Sequence, residues 1–551
     1  MRTRSNQRLR MKRWLAAVMS VLLVLCLPAC GGDKSEDARF IYPLRFEPKS
    51  LDPQICGDAD TATAVGSLYE GLVRLGEKGQ ILPGAAENME VSANGLKYTF
   101  YLRPDAKWHI IRNFKNIYGE GCEKNLEMPV VADDFVFAFQ RIFSAETASP
   151  GADTLYAISN AQAVHDGTAS PQELGVKAAD EHTLVITLEK PSADFLSLLT
   201  QPICAPCNRF FFVSTKGKYG LGLAYTMCNG PFYLSKWNET VCLYLRRNPD
   251  YVGAQRVIPS ELYFYFNSDT ASYPQKINDG VYSAAPIQRE DLDALSPDVQ
   301  VRRVDNTVWG LAFNCTDPLL SNAYLRMALC SAFSADTLES DALTEASGLL
   351  PSSCRICGEN YREKAGGAEC LSENADRALL FMDFALKELD VSRIELKILC
   401  PAEYETAMRR VIQRWQKVFG VTVAASTEVT EDAALRQAQS DGAYQAAFVP
   451  VRASATSAVQ TLYGYTAGDD MDFGLAEDTE YNSFLRAALT APNGETAVQC
   501  CLKAESYLVR TGIFYPLFED TSSFAFYGTV SDITLTPCGE QISFISARKT
   551  D

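Results

Sequence analysis

Histidine is almost missing from this chain: 551 residues hold three, His109, His165 and His182. None stands in an H-E-x-x-H pattern or at carboxylate spacing, so a histidine-built metal centre or acid–base pair has no support in the sequence. A G-x-S-x-G elbow, a Walker loop and a dinucleotide fingerprint are lacking too, which removes the commonest readings as an enzyme. Asp133 and Asp134 are adjacent carboxylates, but the apolar Phe135-Val-Phe-Ala-Phe139 follows at once. They read as the first turn of a helix, where negative charge suits the macrodipole. Positive charge is also scarce: 51 Lys and Arg stand against 68 Asp and Glu, a net −17. So acidic a surface repels phosphate backbones and anionic headgroups, which argues against nucleic acid and peripheral electrostatic membrane binding. After residue 30 no apolar run approaches the roughly 18 residues that a transmembrane helix needs.

What is present begins at the N-terminus. Arg2, Arg4, Arg8, Arg10, Lys12 and Arg13 precede an apolar run over residues 14–27, broken only by Ser20. A basic region followed by an apolar stretch of this length is expected of an export signal, and is too short to span a bilayer core of about 30 Å comfortably. Leu27-Pro28-Ala29-Cys30 then resembles the lipobox of bacterial lipoproteins, which implies a signal over 1–29 and a lipidated Cys30 on a polar tether over 30–38. Two or more acyl chains at about 0.8 kcal/mol per buried CH₂ suffice for stable anchoring. Without residues 1–29 the balance is 45 basic against 68 acidic residues, a net −23.

Cysteine is the other abundance, at seventeen. With Cys26 in the signal and Cys30 lipidated, an odd number remains, so at least one thiol is free. Cys204-Ala-Pro-Cys207 and Cys354-Arg-Ile-Cys357 are close pairs, the second followed by Cys370 and Cys400. Disulfides, plain buried thiols and zinc are all open for this second group, although its spacing matches no compact zinc ribbon and no histidine is near. A thioredoxin-like role needs a βαβ context that neither pair shows. Both pairs are expected to be structural, with no metal and no cofactor.

Along the chain, residues 39–44 and 97–103 read as strands, 61–73 as helical, and 260–266 as a β run able to cross between lobes. Residues 377–389 and 394–399 read as helix then strand, and 411–419 as an amphipathic helix before the strand residues 421–423. Residues 514–526 form an apolar, aromatic segment. The alternation is that of an α/β protein.

Several motifs, in order, resemble one family. They are Tyr69-Glu-Gly-Leu-Val-Arg-Leu75, Leu82-Pro-Gly-Ala-Ala-Glu87, Gly95-Leu-Lys-Tyr-Thr-Phe-Tyr-Leu-Arg-Pro104 and Lys107-Trp108. Further on stand Val131-Ala-Asp-Asp-Phe-Val-Phe-Ala-Phe-Gln-Arg141, Asn229-Gly-Pro-Phe-Tyr-Leu-Ser-Lys-Trp237, Arg247-Asn-Pro-Asp-Tyr251, and Phe313-Asn314 with Leu325-Arg-Met-Ala-Leu329. The series is similar to extracellular solute-binding proteins of the oligopeptide/dipeptide/nickel class (family 5), and closest to the oligopeptide-binding lipoproteins of ABC importers. The resemblance implies a two-lobed, periplasmic-binding-protein-like clamp of class II, large cluster C type, with discontinuous lobes. Lobe I is expected over 39–265, with an inserted subdomain at about 56–190, lobe II over 266–505, and a return to lobe I over 506–551.

The same resemblance implies a peptide or peptide-like ligand held between closing lobes, and permease and ATPase subunits as partners. It also implies a location outside the cytoplasmic membrane, a monomer, and no catalytic residue. By position it places Cys56, Gly57 and Asp58 on the first-lobe wall of the cleft, and Val451, Arg452, Ala453 and Ser454 on the second. Trp309 is either an aromatic wall or core. Two departures stand out. Relatives carry an acidic residue in the second-lobe segment that pairs with the ligand ammonium, whereas here Phe448-Val-Pro-Val-Arg-Ala-Ser-Ala-Thr456 has no acid. Either Asp58 or another carboxylate supplies the charge, or the ligand is not held by a free amino terminus, because burying an unpaired ammonium costs several kcal/mol. Residues 109–128 are also an insertion after Trp108, either a lid or an edge decoration. A sensor or adhesin with the same clamp, and a cysteine-based zinc or redox protein, are the rival readings.

Overall fold

The strand Arg39–Leu44 alternates as a half-buried strand should, with Phe40, Tyr42 and Leu44 inward. It pairs in parallel with Glu261–Phe266, which continues antiparallel to Cys242–Arg247 and then Phe232–Asn238, giving a four-stranded sheet. These positions come from a computed structural model, which describes residues 38–76, 79–110, 128–253, 256–333, 344–366, 373–453, 457–467, 475, 478–536 and 541–550. A second sheet of four antiparallel strands is built from Ala86–Val91, Lys97–Leu102, Thr183–Thr187 and Val176–Asp180. Against it packs the helix Ala132–Ile142, which buries Phe135, Ala138, Phe139 and Ile142 on one face. Asp133 and Asp134 lie in its first turn, and the Asp134 carboxylate accepts from Val131 N and from the buried Trp108 Nε1 at 2.8 Å. One core joins both sheets and takes in Phe524, Phe526, Phe544 and Ala547 from the end of the chain.

The second lobe is built on a seven-stranded sheet. Its middle strands are Gln300–Phe313, Ala446–Arg452 and Ile394–Cys400, flanked by Val423–Val429 and Phe514–Phe526. Val308 and Ala312 enter the core on one face of the sheet, and Trp309, Leu311 and Phe313 the core on the other, as a period of two requires. The helix Glu405–Phe419 covers the latter face with Met408, Val411, Ile412, Trp415 and Phe419. Burying each such large side chain contributes about 1.5–3 kcal/mol, and the Trp415 Nε1 proton is donated to Leu329 O at 2.9 Å.

Two strands serve both lobes. Gln300–Phe313 and Phe514–Phe526 pair antiparallel over nearly their whole length, Gln300 opposite Phe526 and Ala312 opposite Phe514. The strand Glu261–Phe266, expected to cross between lobes, instead lies inside the first-lobe sheet. Its sequence has the alternation of any half-buried strand, and a six-residue strand of roughly 20 Å fills one sheet without reaching a second.

No disulfide joins two of the twelve described cysteines. Cys370 lies outside the described residues, and among those described no His, Cys, Asp and Glu cluster could hold a metal. Burial pushes the Cys207, Cys228, Cys330 and Cys357 thiols up to about 12 and Cys400 to about 11. They are therefore packed as small apolar groups and not as thiolates. No described helix is long and apolar enough to cross a membrane.

A buried acid ties the far end of the second lobe together. Glu505, in the helix Gly494–Arg510, is fully buried and accepts from Leu349 N at 2.7 Å, Leu350 N at 3.1 Å and Tyr361 Oη at 3.0 Å. The Arg362 guanidinium supplies the opposite charge at 2.5 Å. Glu505→Ala leaves these donors and a cation unpaired, and is expected to cost about 3–5 kcal/mol, read as a lowered urea midpoint with unchanged slope.

Candidate functional site

The first-lobe segment expected to line the cleft is held by a buried guanidinium. Asp52-Pro53-Gln54 makes a tight turn, with Asp52 capping the short helix Pro53–Ile55 through Gln54 N. Arg141 reaches it from the helix Ala132–Ile142, with Nη2 donating to Asp52 Oδ2 at 2.5 Å and Nη1 to Asp52 Oδ1 at 3.0 Å and Gln54 Oε1 at 2.6 Å. The Phe212 ring covers the same guanidinium at 4.2 Å. Gln54 Nε2 then donates to Ile203 O and Ala205 O, and Ser149 Oγ to Gln54 O. Gly220, at φ +74, lets the backbone close in: a Cβ there would lie 2.4 Å from Asp52 N.

On this rigid base stands the segment 56–58. Cys56 is buried, and burial with the nearby Asp58 charge pushes its thiol up to about 12. Gly57 is exposed, with its Cβ direction 3.3 Å from Pro150 Cγ. Asp58 is the N-cap of the helix Ala59–Leu68, accepting from Thr61 N at 2.9 Å and Thr61 Oγ1 at 2.7 Å. It is thus half-occupied as a helix cap and is not a spare carboxylate.

The second-lobe segment expected to line the cleft is the end of the strand Ala446–Arg452, which pairs with Gln300–Phe313. Thr307 pairs with Arg452, Val308 with Val451 and Trp309 with Pro450, so the predicted residues adjoin in register. Val451 and Ala453 are buried, Arg452 is exposed, and Ala453 N donates to Asn306 O at 2.8 Å. Ser454 and Cys30 lie outside the described residues. Trp309 is 8% exposed; its ring stacks on Phe448 at 5.4 Å and meets Tyr404 at 4.4 Å. Its Nε1 proton is donated to Asp520 at 3.3 Å, and Arg289 pairs with the same carboxylate.

Asp520, Arg289, Tyr404 and Asn306 were not expected from the sequence. The available signal was the acidic pair Glu519 and Asp520 inside the otherwise apolar 514–526. Asn306 sits where the register of the crossing strands slips, between Asp305 and Thr307, and accepts from Ser522 Oγ at 2.9 Å and Thr307 Oγ1 at 3.1 Å. The histidines make no catalytic arrangement: His109 stacks on Tyr233 and pairs with Asp250, and His165 bonds the Tyr156 hydroxyl. Of the insertion, 111–127 lie outside the described residues.

Two open four-stranded sheets in one lobe and an open seven-stranded sheet in the other, with the long paired strands Gln300–Phe313 and Phe514–Phe526 between their cores, make a two-lobed binding-protein fold. Solved structures with it include OppA of Haemophilus influenzae in complex with RPPGFSPFR, at TM-score 0.72 and 20% identity over 94% of this chain and 99% of that one. The murein tripeptide-binding protein MppA of Escherichia coli matches at TM-score 0.71 and 20% identity, over 94% and 99%. In sequence, the dipeptide-binding protein DppE of Bacillus subtilis is 23% identical over 86% of this chain and 85% of its own. The probable deoxycholate-binding periplasmic protein YgiS of Escherichia coli is 32% identical over 42% of this chain, a likeness spanning 41% of that protein. Residues 80–473 match the model of the bacterial extracellular solute-binding proteins, family 5, and the chain belongs to that family.

Arg141 and Asp52 are both nearly inaccessible, so removing one strands the other. Arg141→Met is expected to cost about 3–5 kcal/mol in urea unfolding, and Asp52→Asn in the same chain to restore part of it.

Proposed function

We propose that this protein is a substrate-binding lipoprotein of an ABC importer that captures oligopeptides or peptide-like solutes between two closing lobes. The observation that carries this reading is the pair of crossing strands, which slip register at Asn306 beside the second-lobe wall, in a chain of the solute-binding family. The ligand contacts both lobes and favours the closed state by its differential affinity. Cys56, Gly57 and Asp58 face it from one side, and Trp309, Val451, Arg452, Ala453 and Ser454 from the other. Lobe I takes residues 39–265, with its inserted subdomain at about 56–190, lobe II takes 266–505, and 506–551 return to lobe I. Cys30 carries the lipid that holds the protein outside the cytoplasmic membrane. The partners are permease and ATPase subunits, the binding unit is a monomer, and the protein works as a binder and not as an enzyme.

The position of the family acid is filled by the 448–456 run, Asp58 is engaged as a cap, and Asp520 already has Arg289 and Trp309. Either another carboxylate pairs with the ligand's amino terminus, or that terminus is not held by a charge, and main-chain pairing supplies most of the affinity.

Native mass spectrometry of residues 31–551, followed by denaturation, tests the reading. Heterogeneous short peptides released from the protein are the expected result. An empty protein that no peptide library stabilises would overturn it, since ligand at 100 times its Kd stabilises by about 2.7 kcal/mol.

A further inference from the structure

The four-stranded sheet that begins at Arg39 meets the first-lobe core with one face only. Phe40, Leu262, Phe264, Leu243 and Leu245 point into that core. The alternate positions form rows across the outer face: Arg39, Glu261, Arg246 and Tyr233 in one, Ile41, Tyr263, Tyr244 and Lys236 in the next. On this face Tyr244 stacks on Tyr263 with ring centroids 4.4 Å apart and planes inclined by 16°, and Tyr263 on Tyr265 at 6.1 Å and 18°. Tyr265 is 36% exposed.

Cations border these rings. The Arg39 guanidinium lies 5.0 Å over Tyr263, that of Arg246 5.2 Å over Tyr244, and Lys236 Nζ 5.9 Å over Tyr244. Lys549 Nζ, 5.2 Å over the Phe40 ring, is near enough to Arg39 for the two charges to repel. Glu261 is the one acid in the two rows, and it accepts from Arg39 Nε at 3.0 Å and from the Tyr244 hydroxyl. Four cations against one acid make this face basic, in a chain whose net charge is −17. The side chains of Arg39 and Arg246 are 59% and 51% exposed, so most of each guanidinium still faces solvent.

The same corner of the sheet is where the tether arrives. Residues 31–38 separate Cys30 from Arg39, and fully extended they span at most about 29 Å. Asp33, Glu36 and Asp37 outnumber Lys34 in that stretch, so attraction to an anionic surface falls to the folded face. Tyrosine, arginine and lysine are the side chains that settle at a membrane–water interface, the ring at headgroup level and the cation against lipid phosphate.

We propose that this outer face rests on the anionic phospholipid surface of the membrane in which Cys30 is anchored. The inference rests on the lipid-anchor reading and goes beyond it: the acyl chains hold the protein, and the face orients it. The tether makes the contact intramolecular, so a weak attraction is enough. Repulsion of the acidic remainder of the chain from the same surface favours the same orientation.

The test uses the lipidated protein in vesicles of phosphatidylcholine alone, or with about one-third phosphatidylglycerol. Flotation first shows whether the chain is anchored. Phenylglyoxal then modifies exposed arginines, and each site is followed by peptide mass spectrometry. Arg39 and Arg246 are expected to react about fivefold more slowly in the phosphatidylglycerol vesicles, the protection disappearing in about 0.5 M salt. Arg393 of the second lobe, with a side chain 59% exposed, is expected to react equally in both. Equal rates for Arg39 and Arg246 in the two lipids would overturn the proposal, and so would a slowing shared by Arg393. Protection that grows with protein concentration in both lipids would overturn it too, and assign the face to a second copy of the chain. A chain that does not float refutes the anchor and the platform together, a result distinct from an anchored chain with unprotected arginines.

Discussion

The antiparallel pairing of Gln300–Phe313 with Phe514–Phe526 is the constraint on which the molecule depends. Both strands belong to the seven-stranded sheet, and the end of the second sends Phe524 and Phe526 into the first-lobe core, so two segments some 200 positions apart must meet before either body is complete. Long pairing of this kind is slow to form because the intervening chain must be closed first. Once formed it fixes two bodies to one axis while leaving them a weak point, the slip at Asn306, where ladder hydrogen bonds are interrupted and side chains substitute for them.

Buried charges do a similar job on a smaller scale. Arg141, Glu505 and Asp194 each sit where several loops converge, and each collects backbone or side-chain donors and acceptors from segments far apart in sequence. Such groups add little net stability over apolar packing, but their bonds are directional and have one satisfied arrangement. Arg141 orders the first-lobe wall and Glu505 the far side of the second lobe. Asp194 differs in that the amide it accepts from, Cys357 N, lies in the second lobe.

Much of this fold was legible in the sequence where local pattern decides it. The strands at 39–44 and 97–102, the helix at 132–142 and the helix-then-strand at 375–400 follow from periodicity and turn residues alone. Residues 260–266, able to cross by their pattern, stay within one sheet, because alternation reports that a strand is half-buried and says nothing of which sheet owns it. The site was less legible still. Asp58 attracts notice as an acid near the cleft, yet its capping role with Thr61 is local, whereas Arg289 and Asp520 are 231 residues apart and meet only through the sheet. No spacing rule can reach that pair. The acid lacking from residues 448–456 was visible, and the structure supplies no free substitute at Asp58 or Asp520.

The twelve described thiols bear on how such a protein reaches its working state. Most of the described ones sit in the cores as small apolar groups. Until those cores close, these sulfurs face solvent, where any oxidant present can join two that the native packing keeps apart. Once the cores close, burial itself protects them, by holding the thiols protonated and out of reach.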